Sequence, residues 1–256
     1  MTSDGEPSND VIVPTPPAKG RGRALSARVK VREPLAAQHL WAARHFARLA
    51  EERETAITEQ GLDKVDLAHR SYVMAAVKFA VSFLEALVNE VYSDAADAVM
   101  PDYSALLKPL EPDVIPKLKA EWEATEGATP VVHTRLMHKY AKALEFAGKT
   151  KFQKADIAYK EAHKVIVLRD FLVHFKPAWH EASVHQNKSS KIHRKLANSF
   201  TENTQPIGDP WFPNKCLSAG CARWACDSVT TFAGQWLDRL DIPHTYETAI
   251  DDQQTP

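Results

Sequence analysis

The segment from about Lys64 to Val99 constrains the fold most strongly, because apolar residues cover most of its helical circumference. Two apolar stripes follow it at helical spacing, namely Tyr72, Ala76, Phe79, Phe83 and Leu87, and Val73, Val77, Ala80, Leu84, Val88 and Val91. A helix that is apolar on most sides lies at the centre of a bundle, where other helices cover it. Met100 and Pro101 end the segment, since proline breaks a continuing helix. The sequence therefore predicts a bundle built around this helix.

Four further segments show apolar residues at three- and four-residue steps, the spacing of an amphipathic helix. They span residues 34–59, 134–146, 154–175 and 214–240. Pro34 suits the first turn of a helix, Gly61 and Gly148 suit left-handed caps, and Pro177 stops a helix. No β-alternation of useful length occurs, and glycine is scarce, with 9 residues in 256. We predict an all-α, up-and-down bundle of about five helices in one domain, residues 33–243.

Two proline-rich stretches separate the predicted helices and are interpreted as long loop insertions. They cover residues 101–130, which contain a short helical candidate at 117–125, and residues 178–213. Residues 1–32 are predicted to be a disordered basic tail, since their prolines and polar residues cannot offset the entropy of ordering. The cations of this tail either stay solvated or contact phosphates. Residues 244–256 are predicted to be a flexible C-terminal tail.

Composition excludes several classes of protein. The net charge is −1 and the pI is about 6.8, so no global basic field attracts nucleic acid or anionic membranes. Three cysteines in 256 residues exclude a disulfide scaffold and fit a reducing compartment. No run approaches the roughly 18 apolar residues of a membrane-spanning helix, and the N-terminal segment lacks an apolar signal core. We expect a cytoplasmic protein without a membrane partner.

One segment carries the residue types of a chemical site, the run KVIVLRDFLVHFKP from Lys164 to Pro177. Arg169 and Asp170 interrupt its apolar residues, and His174 lies just inside the predicted helix end. At about 100° per residue, Asp170 and His174 share one stripe, whereas Arg169 lies about 140° from His174 on the flank of the core stripe. Its long side chain can still approach the same site, particularly one completed by a second subunit.

The run Arg169-Asp170-Phe171-Leu172-Val173-His174 resembles the signature of HEPN domains (higher eukaryotes and prokaryotes nucleotide-binding). That signature is an Arg, four to six residues and a His, often with a polar residue after the Arg. Asp170 departs from the commoner Asn at this place. The resemblance covers about residues 65–240 and extends to SFLEALVNEVY before the motif and WFPNKCLSAGCARWACDSVTTFAGQWLDRL after it.

The resemblance implies an up-and-down helical bundle that is usually dimeric, with the motif helices of two protomers facing each other. Many members are metal-independent ribonucleases that act as toxins or phage-defence effectors. Others have lost activity and serve as binding or dimerisation modules. We therefore expect a homodimer with RNA as its substrate and an antitoxin or defence partner. An inactive module that binds nucleic acid, nucleotide or protein is the alternative, and a purely structural helical protein is a third.

RNA supplies its own nucleophile, the 2′-OH, so neither a metal nor a cofactor is expected. In the implied site, His174 transfers protons near neutral pH, and Arg169 binds phosphate oxygens with its forked guanidinium. A second His174 would face the first across a two-fold axis, so that one acts as base and the other as acid. Asp170, Glu85 and Asn89 are the candidate supporting residues. The structural alternative is that Arg169 simply pairs with a core carboxylate and His174 favours the helix dipole.

A narrow polar strip runs along the otherwise apolar central helix. It consists of Lys78, Ser82, Glu85, Asn89 and Ser93. Either this strip faces solvent and makes caps and ion pairs, or it faces the fourth helix, where Glu85 would orient Arg169 or His174. Buried charges are costly unless they are paired, so partners are expected nearby.

Five cations surround the second loop insertion and are the candidate RNA-binding residues: Lys176, Lys188, Lys191, Arg194 and Lys195. Their local charge can attract a phosphate chain although the whole chain is nearly neutral. Four aromatic residues occur near these cations in the sequence: Trp179, Trp211, Phe212 and Trp224. They either stack on RNA bases or pack in the bundle. Cys216, Cys221 and Cys226 recur every five residues and spiral around the last helix, so no metal site is expected.

Overall fold

The computed structural model describes residues 32–97, 99–126, 133–176, 190–205, 207 and 210–247. It divides the chain into residues 1–33 and 34–256. The helices of the second unit are α1 (Ala36–Glu59), α2 (Leu67–Ala96), α3 (Met100–Tyr103), α4 (Val114–Glu126), α5 (His133–Phe146), α6 (Ile157–Val173), α7 (Lys191–Leu196) and α8 (Ala219–Arg239). No strand occurs in the described residues, and the all-α prediction is confirmed. The predicted disordered tail, residues 1–32, lies outside the described residues except for Arg32.

Helix α2 lies at the centre of the bundle and packs on α1, α4, α5, α6 and α8. Its buried side chains extend from His69 to Ala95 and include both predicted apolar stripes in large part. By length and composition α2 is also apolar enough to cross a membrane. Half of its most apolar 18-residue stretch is buried inside the bundle. The core helix of a protein that does not span a membrane can be equally long and apolar, so this is weak evidence for a membrane span.

Helices α1 and α2 form an antiparallel pair joined by a short connection in which Gly61 has a φ of +63°. The backbone N–H of Ala36, at the start of α1, donates to Glu90 Oε1 near the end of α2 at 2.8 Å. At the other end of the pair, Glu54 Oε2 lies 2.9 Å from His69 Nε2. These two contacts fix the register of the pair along its whole length.

Helix α8 packs on α1, α2 and α6 and starts later than the predicted residue 214. The reason is a serine cap, since Ser218 Oγ accepts from the N–H of Cys221 at 2.9 Å. The N–H of Ala219 donates to Glu54 Oε2 at 2.6 Å, which ties the start of α8 to α1. Since α1 and α6 each pack on both α2 and α8, they lie at opposite corners of this four-helix arrangement.

The segment 101–130 differs from the predicted loop insertion, because its described part contains α3 and α4. The helical candidate at 117–125 is extended at its start, since Pro116 lies in the first turn of α4, where a missing N–H costs little. Val114 and Leu118 are buried, and α4 packs on α2. This segment is part of the core and not mainly a surface connection.

The segment 178–213 also differs from the predicted loop insertion where it is described. Its helix α7 begins with a cap from Ser190 and buries Ile192 and Leu196. A wide turn, Trp211–Lys215, leads into α8 and buries the ring of Trp211. Residues 178–189 lie outside the described residues.

The predicted flexible tail, residues 244–256, starts too early in the sequence. Tyr246 is buried, and its ring lies 5.0 Å from that of Phe83 in α2. His244 Nε2 lies 2.9 Å from Asp238 Oδ1, which attaches the segment to α8. The chain therefore stays packed on the bundle through these residues, and the part beyond residue 247 lies outside the described residues.

Candidate functional site

Arg169 lies on α6 and reaches α2, and two carboxylates surround its guanidinium. Its Nη2 donates to Glu85 Oε1 at 2.7 Å, and its Nε lies 3.0 Å from Asp170 Oδ1. The Arg169 side chain is only 16% exposed, so pairing is required to offset its lost hydration. The structure thus brings Glu85 and Asp170 to Arg169, a contact that fits both the orienting role and an ordinary ion pair.

His174 directly follows α6 and has a different environment from Arg169. Its backbone N–H donates to the carbonyl oxygen of Asp170 at 2.9 Å, which closes the last turn of the helix. The residue is exposed and is not packed into the core of its own subunit. His174 is therefore an exposed residue, whereas the guanidinium five residues earlier is largely covered.

An exposed apolar patch surrounds His174 at the end of α6. We define it as Phe171, Val173 and Phe175, all of which are exposed. The rings of Phe171 and Phe175 lie 4.7 Å and 5.7 Å from the ring of Phe212, which is buried below them. Phe171 and Phe175 form one group with Phe212, whereas Val173 lies about 160° from Phe171 around the helix axis, on the other side of His174. Exposed large apolar side chains of this kind mark surfaces that bind another molecule.

Asp170 acts electrostatically on a second histidine of α6, His163. Desolvation lowers the pKa of His163 below its ordinary value, and the positive charge of Lys195 lowers it further, whereas Asp170 opposes both effects. His163 is therefore mainly neutral at pH 7. The negative charge of Asp170 acts on both Arg169 and His163.

Asn89, a predicted supporting residue, contacts a different element. Its Oδ1 accepts from Lys139 Nζ of α5 at 2.7 Å, and that ammonium also lies 4.9 Å from the ring centre of Trp122. The structure therefore places Asn89, which is predicted as a supporting residue, in the contact between α2 and α5. Along the same polar strip, Lys78 is exposed and Ser82 is half-buried.

The predicted RNA-binding cations lie on and beside α7 where they are described. Lys176 follows α6, and Lys191, Arg194 and Lys195 belong to α7, and all four are exposed. Helix α7 packs on α6 and on the turn before α8, so these cations lie next to the helix that carries the motif. The fifth cation, Lys188, lies outside the described residues.

The three cysteines are buried and free. Burial raises the pKa of the Cys216 thiol well above its ordinary value and raises that of Cys226 to about 12. Both thiols are therefore protonated at neutral pH and chemically inert. Within the described ranges, no group of three or more His, Cys, Asp or Glu side chains is arranged to hold a metal ion.

His39 is a residue of this region that sequence analysis missed. The register of α1 and α2 places it level with Glu85, and its ring lies 5.8 Å from that of Phe79. Desolvation lowers its pKa, and the charge of Glu85 opposes this effect. In the sequence, His39 precedes Leu40 within the apolar periodicity of α1, so it does not stand out as a polar site residue. An antiparallel pairing of α1 with α2 would have placed it level with Glu85.

The region thus combines an ion-paired guanidinium and an exposed His174 on α6 with exposed cations on the neighbouring α7, of which Lys195 lies near His163 in the first half of α6. These groups can bind a phosphate and exchange a proton. Comparison of the chain with protein-family models, curated proteins and solved structures found no match. The function of the site is therefore inferred from its residues.

Proposed function

We propose that this chain is a metal-independent endoribonuclease of the HEPN type that acts as a homodimer, as a toxin or a phage-defence effector. The observation that carries the proposal is the exposure of His174, five residues along α6 from an Arg169 that Glu85 holds in place. The resemblance of this run to the HEPN signature supports the same assignment. The exposed cations of α7 provide a surface for the RNA backbone.

The reaction uses the 2′-hydroxyl of the RNA as its nucleophile. One imidazole accepts the proton of that hydroxyl while the 2′-oxygen forms a bond to phosphorus. The bond from phosphorus to the 5′-oxygen breaks, and a second imidazole donates a proton to the leaving oxygen. The products are a 2′,3′-cyclic phosphate and a 5′-hydroxyl, and Arg169 would stabilise the charge that develops on the phosphoryl oxygens.

The apolar patch at the end of α6 supports a dimeric site. Phe171, Val173 and Phe175 surround His174 and are exposed in the single chain. If a second copy covers this patch across a two-fold axis, two His174 residues come close together. This arrangement would supply the base and the acid from identical residues.

An RNA cleavage assay in the presence of EDTA tests the proposal. We expect the purified protein to cleave mixed RNA with EDTA present and the His174→Ala variant to lose this cleavage. The matched control is His138→Ala, because His138 is an exposed histidine on α5, away from the motif. Equal cleavage by the protein and its His174→Ala variant would contradict the proposal.

A catalytically inactive HEPN-fold module that binds nucleic acid is the second candidate. The observation that favours it is the pairing of the Arg169 guanidinium with two carboxylates, since each competes with a phosphate for the same cation. Asp170 in place of the commoner Asn points in the same direction. For such a module, a gel-shift experiment would show RNA retained by the protein without any cleavage product.

A further inference from the structure

Aromatic rings form a continuous row on the surface of α1 and α2, apart from the motif. Trp41 stacks on His45, with ring centres 4.9 Å apart and planes at 7°. His45 contacts Phe46 edge-on at 5.7 Å, and Phe46 stacks on Phe79 of α2 at 5.8 Å with planes at 4°. His39 and Tyr72 extend the row from Phe79 and Phe46 at 5.8 Å and 6.2 Å. We call these six residues the aromatic row: His39, Trp41, His45, Phe46, Tyr72 and Phe79.

The aromatic row is only partly covered by the rest of the protein. Trp41 is 41% exposed, and the other five rings are half-buried. Leu40, Ala43 and Ala50 are fully buried on the core side of α1, and Phe46, Tyr72 and Phe79 pack against the core with part of their surface. The rings therefore present apolar surface to solvent, and nucleic-acid bases stack on such surface whatever their sequence.

The outward face of α2 connects the aromatic row to Arg169. Around the helix axis Phe79 and Glu85 lie about 120° apart, and Ser82 lies midway between them. Ser82 is half-buried, and its side chain is small. The distance across one helix is about 10 Å, which is the scale of a nucleotide with its base and backbone.

Cations lie beside the rings. Lys78 is exposed on the outward face of α2, next to Phe79 in the sequence. Arg48 is exposed one turn after His45, and its Nη2 lies 3.1 Å from His45 Nδ1. Aromatic rings with neighbouring cations match a single strand, whose bases and phosphates alternate along its length.

We propose that the aromatic row and the outward face of α2 bind single-stranded RNA, with bases stacked on the row and the backbone directed to Arg169. This inference rests on the proposed function, because RNA as the ligand comes from it. It adds a binding surface on α1 and α2 to the cations of α7. Double-stranded RNA fits this surface poorly, since its bases are stacked inside the helix.

Charge favours RNA over a second copy of the chain as the occupant of this surface. Lys78 and Arg48 are exposed beside the rings, and Arg48 Nε lies 3.9 Å from Glu52 Oε1. RNA supplies the opposite charge at every phosphate. The test must therefore distinguish RNA binding from self-association of the chain through the aromatic row.

The test is fluorescence anisotropy of the full chain, in EDTA, with a labelled single-stranded oligoadenylate that carries 2′-O-methyl groups. This probe cannot be cleaved by 2′-oxygen attack, so it measures binding alone. We expect Trp41→Ala to weaken binding roughly tenfold, the effect of losing one stacked base. Lys78→Ala is expected to weaken binding and to reduce its salt dependence. The matched control is Tyr103→Ala, since Tyr103 is 69% exposed and lies outside the row.

Unchanged affinity in Trp41→Ala would overturn the proposal, and so would a change in oligomeric state with affinity retained, which would assign the row to a second copy. The two proposals fail separately. If His174-dependent cleavage is found while Trp41→Ala binds normally, only the aromatic row is wrong. If Trp41→Ala loses binding and no cleavage is found, the row is correct and the inactive RNA-binding module replaces the ribonuclease.

Discussion

The guanidinium of Arg169 has enough donors for both a structural and a chemical role. Arginine carries five N–H groups, of which one on Nη2 donates to Glu85, while Nε lies 3.0 Å from Asp170 Oδ1 as an ion pair. A phosphate oxygen would take the remaining donors and would compete with the carboxylates for the charge. The Glu85 contact therefore fixes the position of the fork and also weakens its attraction for an anion.

Removal of the charge on Glu85 tests this description. Glu85→Gln keeps the shape of the side chain and weakens a charged hydrogen bond to a largely covered arginine. We expect a loss of about 1–2 kcal/mol in the free energy of unfolding, measured by urea titration. The control is Glu145→Gln, where an exposed carboxylate pairs with exposed Lys151, and we expect a change within about 0.5 kcal/mol. Equal effects of the two substitutions would show that the Arg169 contact is an ordinary surface pair.

The sequence predicts part of this site and misses the rest for a geometric reason. The polar strip on an apolar helix indicates that Glu85 needs a partner, and Arg169 provides it. The same strip gives no sign that Asn89 turns to α5 and Lys139. Helical spacing defines which residues share a face, but it does not define which neighbouring helix covers each part of that face.

The lowered pKa of His39 predicts how stability depends on pH. Below its ordinary value of 6.5, the unfolded chain binds a proton that the folded His39 binds less readily. Stability therefore falls as the pH drops from about 7 towards about 5.5, and His163 contributes in the same direction. We expect His39→Gln to reduce this loss, measured by urea unfolding at both pH values. The same loss in the variant and the original chain would contradict the assignment.

At the scale of elements, the long helices follow from local signals and the short ones do not. The predicted ends at 59 and 146 agree with α1 and α5, because glycines with positive φ follow both helices at Gly61 and Gly148. The sequence predicts only a short helical candidate where α4 occurs, because prolines in and around this segment interrupt the helical spacing of its apolar residues. The burial of α4 depends on its packing against α2, which local sequence does not show. Local sequence shows where a helix can end, whereas burial of a short segment depends on distant elements.

Helix α4 offers a direct test of its place in the core. Leu118 is fully buried, so Leu118→Ala removes buried methyl groups and leaves a cavity. We expect a loss of about 2–4 kcal/mol in the free energy of unfolding, measured by denaturant titration. Leu62→Ala, at a leucine that is well exposed, is the control and should change stability by less than about 1 kcal/mol. A small effect of Leu118→Ala on the free energy of unfolding would indicate that this segment is a surface connection and not part of the core.

At the scale of the whole molecule, the exposed patch at the end of α6 predicts the oligomeric state. Val173→Glu places a charge in the proposed dimer contact, and because Val173 is exposed, the fold should tolerate it. We expect sedimentation velocity to show a dimer for the original chain and a monomer for the variant. A dimer that survives this substitution would place the interface elsewhere, and a monomeric original chain would exclude the two-fold site.

The proposed chemistry depends on one bond-forming step, the attack of a ribose 2′-oxygen on its own phosphate under control of His174 and Arg169. Mass spectrometry of the product ends measures this step directly, with EDTA present and with an RNA oligonucleotide compared with its 2′-deoxy counterpart. We predict 2′,3′-cyclic phosphate ends from the RNA, no cleavage of the 2′-deoxy strand and no product from His174→Ala. Cleavage of the 2′-deoxy strand, or cyclic-phosphate product from His174→Ala at the original rate, would contradict the account.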